Sequence, residues 1–159
     1  MKQDHQNPIA VTVTKTLDYG ILLLLVVTAV LIFASTYSDP DLWGHVRFGV
    51  DILESREITR VDPYSYVSGD QLWINHEWLA EVIFAAAWLT AGSTGLIVVK
   101  LIAGLLTVTL LYRHLLSLNI KHGEAALFLL TMGTSYLVIY SVRPQIFTFP
   151  LYTITMLII

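Results

Sequence analysis

The chain contains no cysteine. That excludes disulfides, thiolate metal sites and cysteine nucleophiles, and it leaves the redox compartment open. Charge is scarce as well. Only 13% of the 159 residues are Asp, Glu, Lys or Arg, against about 25% in a soluble domain. The net charge is −3 and the basic residues form no stripe, so no nucleic acid is expected as a partner. No segment repeats, and none is of low complexity. Apolar residues are what the chain holds in abundance, at 55%, with a mean hydropathy of +0.68. Such a chain has too little polar surface to stay dissolved as a monomer. Its apolar residues fall in long runs, as a lipid solvent requires.

The first run, Leu17 to Thr36, is about 20 residues and about 30 Å long as a helix, which matches the hydrocarbon core. Residues 1–16, with Lys2, Asp4 and Lys15, read as a polar tail. Ser35-Thr36-Tyr37 is a poor signal-cleavage sequence, so the helix is expected to be retained. Asn75 to Ala91 is borderline in length and carries Glu77 and Glu81; it either spans the membrane or lies on its surface. Gly92-Ser93-Thr94-Gly95 predicts a turn. Leu96 to Leu118 is a long apolar helix whose Lys100, near the start, is expected to snorkel. Asn119 to Gly123 is a polar turn, and Ala125 to Val142 is another span. Arg143-Pro144 breaks it, and Gln145 to Ile159 begins a further apolar run. The expected fold is all-α, a polytopic transmembrane bundle of four to five spans. The last run has no polar flank, so residues 77–159 read as transmembrane helices cut short at the C-terminal side.

Residues 37–76 differ in kind. They hold seven of the twelve acidic residues (Asp39, Asp41, Asp51, Glu54, Glu57, Asp62 and Asp70), three arginines, and the turn formers Pro40, Pro63 and Gly69. A segment this polar does not sit in lipid. Within it Leu42, Val46, Gly49, Val50 and Leu53 recur at helical spacing. Asp39-Pro40-Asp41 supplies an N-cap with proline at the first helical position. The pattern predicts an amphipathic helix from Pro40 to Ser55 at the membrane surface, followed by an extended return over Val61 to Trp73.

The two ends of this loop carry the groups capable of chemistry. Asp41 and His45 are four apart and share a helix face, as do Glu77 and Glu81. If the loop folds back, the two clusters meet. A carboxylate held against apolar surface gains basicity and can act as a general base. Two or three carboxylates with a histidine can hold a divalent metal, for which Asp41 and Glu77 are the candidates. The plainer roles are equally concrete. Asp39 can cap the helix, Asp41 can complement its dipole, and Trp43, Trp73 and Trp78 can form an interfacial belt. The same three tryptophans can alternatively stack on a sugar ring, with Trp43 the substrate-binding candidate. Arg143 either binds a phosphate or anchors a helix end. HEWLA at His76 lacks the second histidine of a zinc-protease helix, which excludes that chemistry.

The stretch DPDLWGHVRFGVDILESREITRVDPYSYVSGDQLWINHEWLAEVIFAAAW, placed after one apolar helix, resembles the first external loop of polytopic glycosyltransferases of the GT-C fold. That family includes protein O-mannosyltransferases, lipid A aminoarabinose transferases and oligosaccharyltransferase catalytic subunits. The resemblance is carried by Asp39, Asp41, Trp43, His45, Gly49, Asp62, Pro63, Ser65, Trp73, His76, Glu77 and Trp78, with Arg143-Pro144-Gln145 further on, and it covers roughly residues 17–150. It implies a polyprenyl-phosphate sugar donor and transfer at the external face. It also implies that the acidic residue after the first helix is the catalytic base or a metal ligand. Asp41 matches that position best, with Asp39 the other candidate. His45, His76, Glu77, Arg143 and Trp43 are then the candidates for substrate binding. Family members are longer and carry more spans.

The organisation expected is therefore a tail over 1–16, a first span over 17–36, an external acidic loop over 37–76 and further spans over 77–159. Lys2 and Lys15 in the tail against three arginines in the loop leave the positive-inside comparison nearly neutral, and the resemblance implies an N-terminus in the cytoplasm of a multi-pass cell-membrane protein. The alternative to a transferase is a small non-catalytic membrane subunit that docks a partner subunit through the acidic loop.

Overall fold

The structure, a computed structural model, describes residues 8–67, 71–136 and 140–159. The start of the expected tail, Gly69, Asp70 and positions 137–139 of the expected span Ala125–Val142 lie outside them. The described chain is helical. Its elements are α1 (Pro8–Phe33), α2 (Leu42–Ser55), α3 (Trp78–Ser117), α4 (His122–Tyr136), a 3-10 turn (Pro144–Phe147) and α5 (Thr148–Ile158). No strand occurs among the described residues. One antiparallel bridge, Val61 with Leu72, closes the return of the loop.

Helix α1 is already formed at Pro8, where the described residues begin, well before the expected Leu17, so residues 8–16 of the supposed tail are helical. Thr12–Phe33 and Trp78–Ser117 are long and apolar enough to cross a membrane. Only 22% of the first span is buried by the rest of the chain, and Leu17, Tyr19, Leu23 and Leu31 lie open along it. A helix that served as a soluble core would be covered, so this exposure favours a lipid surround. The other apolar helices, α4 and α5, are described over 15 and 11 residues. Two helices therefore have spanning length among the described residues, where four to five spans were expected.

Helix α3 is two arms. Gly92 has φ 57° and ψ −141°, a region that essentially only glycine enters. A Cβ on Gly95 would run into the carbonyl of Ala87. Residues eight apart on one straight helix would be about 12 Å apart, so the chain doubles back at the predicted 92–95 turn.

Helix α2 lies on the first arm. Its buried face is Leu42, Val46, Gly49 and Ile52, close to the predicted stripe. Each large aliphatic side chain buried there contributes about 1.5–3 kcal/mol. Gly49 is the contact point, since a Cβ there would strike the carbonyl of Glu81 and the side chain of Ala85. So the apolar face of α2 is spent on protein. The core around it joins Phe33, Val46, Phe84, Leu96, Ala103 and Ile146 from four elements. Helix α4 packs on α1 through Leu25, Ala126 and Leu129.

Lys100 does not snorkel. It is fully buried, and its ammonium donates to the carbonyl and hydroxyl oxygens of Ser35, just past the end of α1. A cation at a helix C-terminus meets the negative end of the dipole. Helix α3 is thereby fastened to the point where α1 gives way to the acidic loop.

Candidate functional site

The site forms where the start of α2, the start of α3 and the 3-10 turn converge. Asp39 accepts the backbone N–H of Asp41 at 2.9 Å, which closes the turn into α2. The N-cap of α2 is Asp41, with no side-chain cap bond. Asp39 thus shapes the turn before the helix. Pro144 disfavours helical backbone at the residue before it, and Arg143 is extended at φ −139° and ψ 158°. Its Nη2 reaches Asp39 Oδ1 at 2.7 Å and Asp41 Oδ2 at 3.0 Å. Burial opposes the charge on Asp39, but the Asp41 N–H and the Arg143 guanidinium outweigh it and hold the carboxyl below its usual range. The same carboxylates raise the guanidinium further, the hydrogen bond to Asp39 first.

The opposite wall is built by one imidazole and two carboxylates. His45 Nδ1 lies 3.3 Å from Glu81 Oε1 and 3.7 Å from Glu77 Oε2. A carboxylate only accepts, so the hydrogen bond to Glu81 requires a proton on Nδ1. The His45 pKa is raised, first by that bond, against burial, and then by the nearby charges of Glu77, Glu81 and Asp41. Glu81 is 1% exposed. Its second oxygen accepts Asn75 Nδ2 at 2.6 Å. Asn75 Oδ1 in turn accepts the N–H of Glu77 at 3.1 Å, so one side chain both starts α3 and orients Glu81.

Between the walls lies a polar cleft of about 500 Å³, lined by Pro40, Asp41, Gly44, His45, Phe48, Glu77, Arg143 and Gln145. A second groove of about 540 Å³ adjoins it and shares Glu77 and Gln145. That groove is mostly apolar, with Leu79, Ile83, Leu106, Phe147, Leu151 and Ile154 along it. A third cavity, between α1, α3 and α4, is mostly apolar and is lined by none of these charged groups.

Of the residues singled out in the sequence, Asp39, Asp41, His45, Glu77 and Arg143 come together here. The expected meeting of the two loop ends occurs, with His45 from one and Glu77 and Glu81 from the other. His76 stays outside the polar cleft: it is exposed at the rim of the apolar groove, with Nε2 3.9 Å from Glu77 Oε1. Trp43 does not line the cleft either; it packs edge-on against Trp88 with ring centres 4.9 Å apart. Asp41 and Glu77 are not the closest metal-binding set. Among the described residues, that set is His45, Glu77 and Glu81, whose donor atoms lie within 4.8 Å of one another. Asp41 is drawn away because Arg143 occupies it. Asp62, Pro63 and Ser65 form a turn in which Asp62 Oδ1 accepts the N–H groups of Tyr64 and Ser65. Sequence reading passed over Asn75, although an asparagine just before a helix start is a recognisable signal. Gln145 entered the sequence reading only as part of the Arg143-Pro144-Gln145 stretch, with no role of its own.

No protein-family profile matches the chain, and neither a curated protein nor a solved structure shows significant similarity to it.

Proposed function

We propose that the chain provides the reaction site of a GT-C-like glycosyltransferase, which moves a sugar from a polyprenyl-phosphate donor to an acceptor at the external membrane face. One observation carries this reading. A polar cleft and an apolar groove of similar size open side by side and share Glu77 and Gln145. That pairing suits an amphiphile whose sugar and phosphate occupy the first while its chain follows the second.

Exposure separates the two candidate bases. The Asp39 side chain is 12% exposed and that of Asp41 is 70% exposed. Asp39 holds the turn, and Asp41 is the carboxylate open to an incoming hydroxyl. It takes the hydroxyl proton as the acceptor oxygen bonds to the anomeric carbon. The bond from that carbon to the phosphate oxygen breaks, and polyprenyl phosphate leaves with the electron pair. Arg143, which lines the same cleft, shares in neutralising the leaving phosphate.

The test is sugar transfer in proteoliposomes that contain the full-length protein and a radiolabelled polyprenyl-phosphate hexose. Asp41→Asn is expected to lower turnover by at least about a hundredfold, with binding of the donor retained. Undiminished turnover would remove Asp41 from the mechanism.

A second reading, a membrane subunit that docks a partner subunit, is favoured by the open edge of the loop. Tyr66, Val67, Leu72 and Ile74 are each at least 85% exposed. Replacing Tyr66 and Leu72 by Ser separates the readings. Lost co-purification of a subunit with transfer intact would support docking at that edge.

A further inference from the structure

Four carboxylates, Asp39, Asp41, Glu77 and Glu81, converge on this region. Arg143 serves the first two. His45 is the imidazole that faces both of the other two, while the exposed His76 approaches only the outer oxygen of Glu77, at 3.9 Å. A single Nδ1 proton makes one hydrogen bond well, and Glu81 already receives it at 3.3 Å. Glu77 reaches the same nitrogen at 3.7 Å and gains no proton there. A second carboxylate brought to an occupied donor is a poor ion pair but a good ligand shell.

The distances fit that use. Metal bonds of about 2.0–2.2 Å set neighbouring donors roughly 2.9–3.5 Å apart in octahedral or tetrahedral shells. The two imidazole-to-carboxylate distances, 3.3 and 3.7 Å, reach that range with small side-chain movements. Glu81 has the support expected of a ligand, since Asn75 pins its far oxygen and leaves Oε1 turned to His45. Openness is equally suited. His45 and Glu77 line the polar cleft, so a coordination position faces the space where a substrate would sit.

We propose that His45, Glu77 and Glu81 hold one divalent transition-metal ion, Mn²⁺ or Zn²⁺, whose open position faces the polar cleft. Mixed imidazole and carboxylate donors suit these ions, whereas Ca²⁺ and Mg²⁺ prefer shells made of oxygen alone. The ion takes the place of the Nδ1 proton and adds two positive charges to a cleft in which carboxylates predominate. An anionic phosphate ligand could then be held there. The site stands independently of the transferase reading, because it is tested by binding alone.

The experiment uses full-length protein in nanodiscs, stripped with a chelator and titrated with Mn²⁺. Electron paramagnetic resonance is expected to show one ion bound per chain, displaced by Zn²⁺, with an imidazole-nitrogen signature in the spin echo. His45→Gln is expected to remove that signature, and Glu77→Gln to weaken binding by about a hundredfold. Asn75→Ala is expected to weaken it about tenfold. His76→Gln and Asp41→Asn are expected to bind as the parent does. Glu77 lies at the rim with its side chain 31% exposed, so its variant decides the matter if His45→Gln fails to fold. Absence of stoichiometric binding, a bound ion without the nitrogen signature, or undiminished binding in Glu77→Gln would each overturn the site. Loss of the signature in His76→Gln, or of binding in Asp41→Asn, would move the ion elsewhere and overturn it too.

Discussion

At the scale of single residues, Arg143 ties the end of the chain to the start of the acidic loop. Both of its contacts, to Asp39 and to Asp41, are made by Nη2. The planar fork that normally distinguishes arginine from lysine is therefore not what the tether uses. Arg143→Lys is expected to keep α2 docked, whereas Arg143→Gln is expected to free it. Hydrogen exchange at the amides of residues 39–45 reads this directly, with a rise of about tenfold in the glutamine variant and little change in the lysine variant. Acid should release the same tether late. Asp39 has its folded pKa below the ordinary value of 3.8. Its contribution is thus present above that value and is lost only as pH falls through the lower folded one. Exchange at these amides that already accelerates well above pH 4 would contradict this order. Lys100 marks where reading by residue type stops. Its position near a helix start is legible, but its partner Ser35 lies 65 positions earlier, and nothing local to Lys100 points to it.

At the scale of elements, two glycines set the geometry of the site. Gly49 lets α2 approach α3 at Glu81, four residues beyond His45 on the same helix. Gly49→Ala would force a methyl group against a backbone carbonyl, which overpacking places at about 1–3 kcal/mol. Because the displaced helix carries His45, the same variant is expected to weaken Mn²⁺ binding as well as thermal stability. A variant that loses stability with affinity intact would show that α2 moves without disturbing the cluster. Gly92→Ala forces a side chain onto a backbone with φ 57°, at about 1–3 kcal/mol. It is expected to lower the melting temperature without altering the cleft. The amphipathic helix, its buried stripe and the 92–95 turn were all legible, because each has a local signature in periodicity or glycine content. The helicity of residues 8–16 was missed because threonines and Lys15 dilute their hydropathy. The site was half legible. Spacing of four put His45 with Asp41 and Glu77 with Glu81. The choice of partners was set instead by Arg143, which arrives from about a hundred residues away.

At the scale of the molecule, the contacts rank the helices by height along α1. In the middle of α1, Asp18 lies against Gly123, and Leu25 belongs to the cluster with Leu111 and Leu115. At its C-terminal end, Phe33 lies against Gly104 and Ser35 against Lys100. The second arm of α3 therefore runs antiparallel to α1 and reaches its far end near residues 100–104. The first arm pairs with the second through Ala87 and Gly95, and Leu106 shares a groove with Leu79 and Ile83. It follows that the first arm begins at the level where α1 ends and extends away from it. Residues 78–91, about 21 Å long at 1.5 Å each, are then expected to lie outside a slab crossed by α1. The sequence left open whether this segment spans or lies outside, because its apolar content serves either purpose. Residues 1–159 hold no cysteine, so single cysteines placed among them report the topology once any cysteine elsewhere in the full-length protein is replaced. Single cysteines at Tyr66, Thr94 and Lys121 in the full-length protein can be labelled with a membrane-impermeant maleimide in intact cells. Tyr66→Cys and Thr94→Cys are expected to react from outside, and Lys121→Cys only after the membrane is opened, which places the N-terminus in the cytoplasm. If Thr94 and Tyr66 fall on opposite faces, the first arm is a span after all, and the polar cleft lies at a different depth from the one argued here.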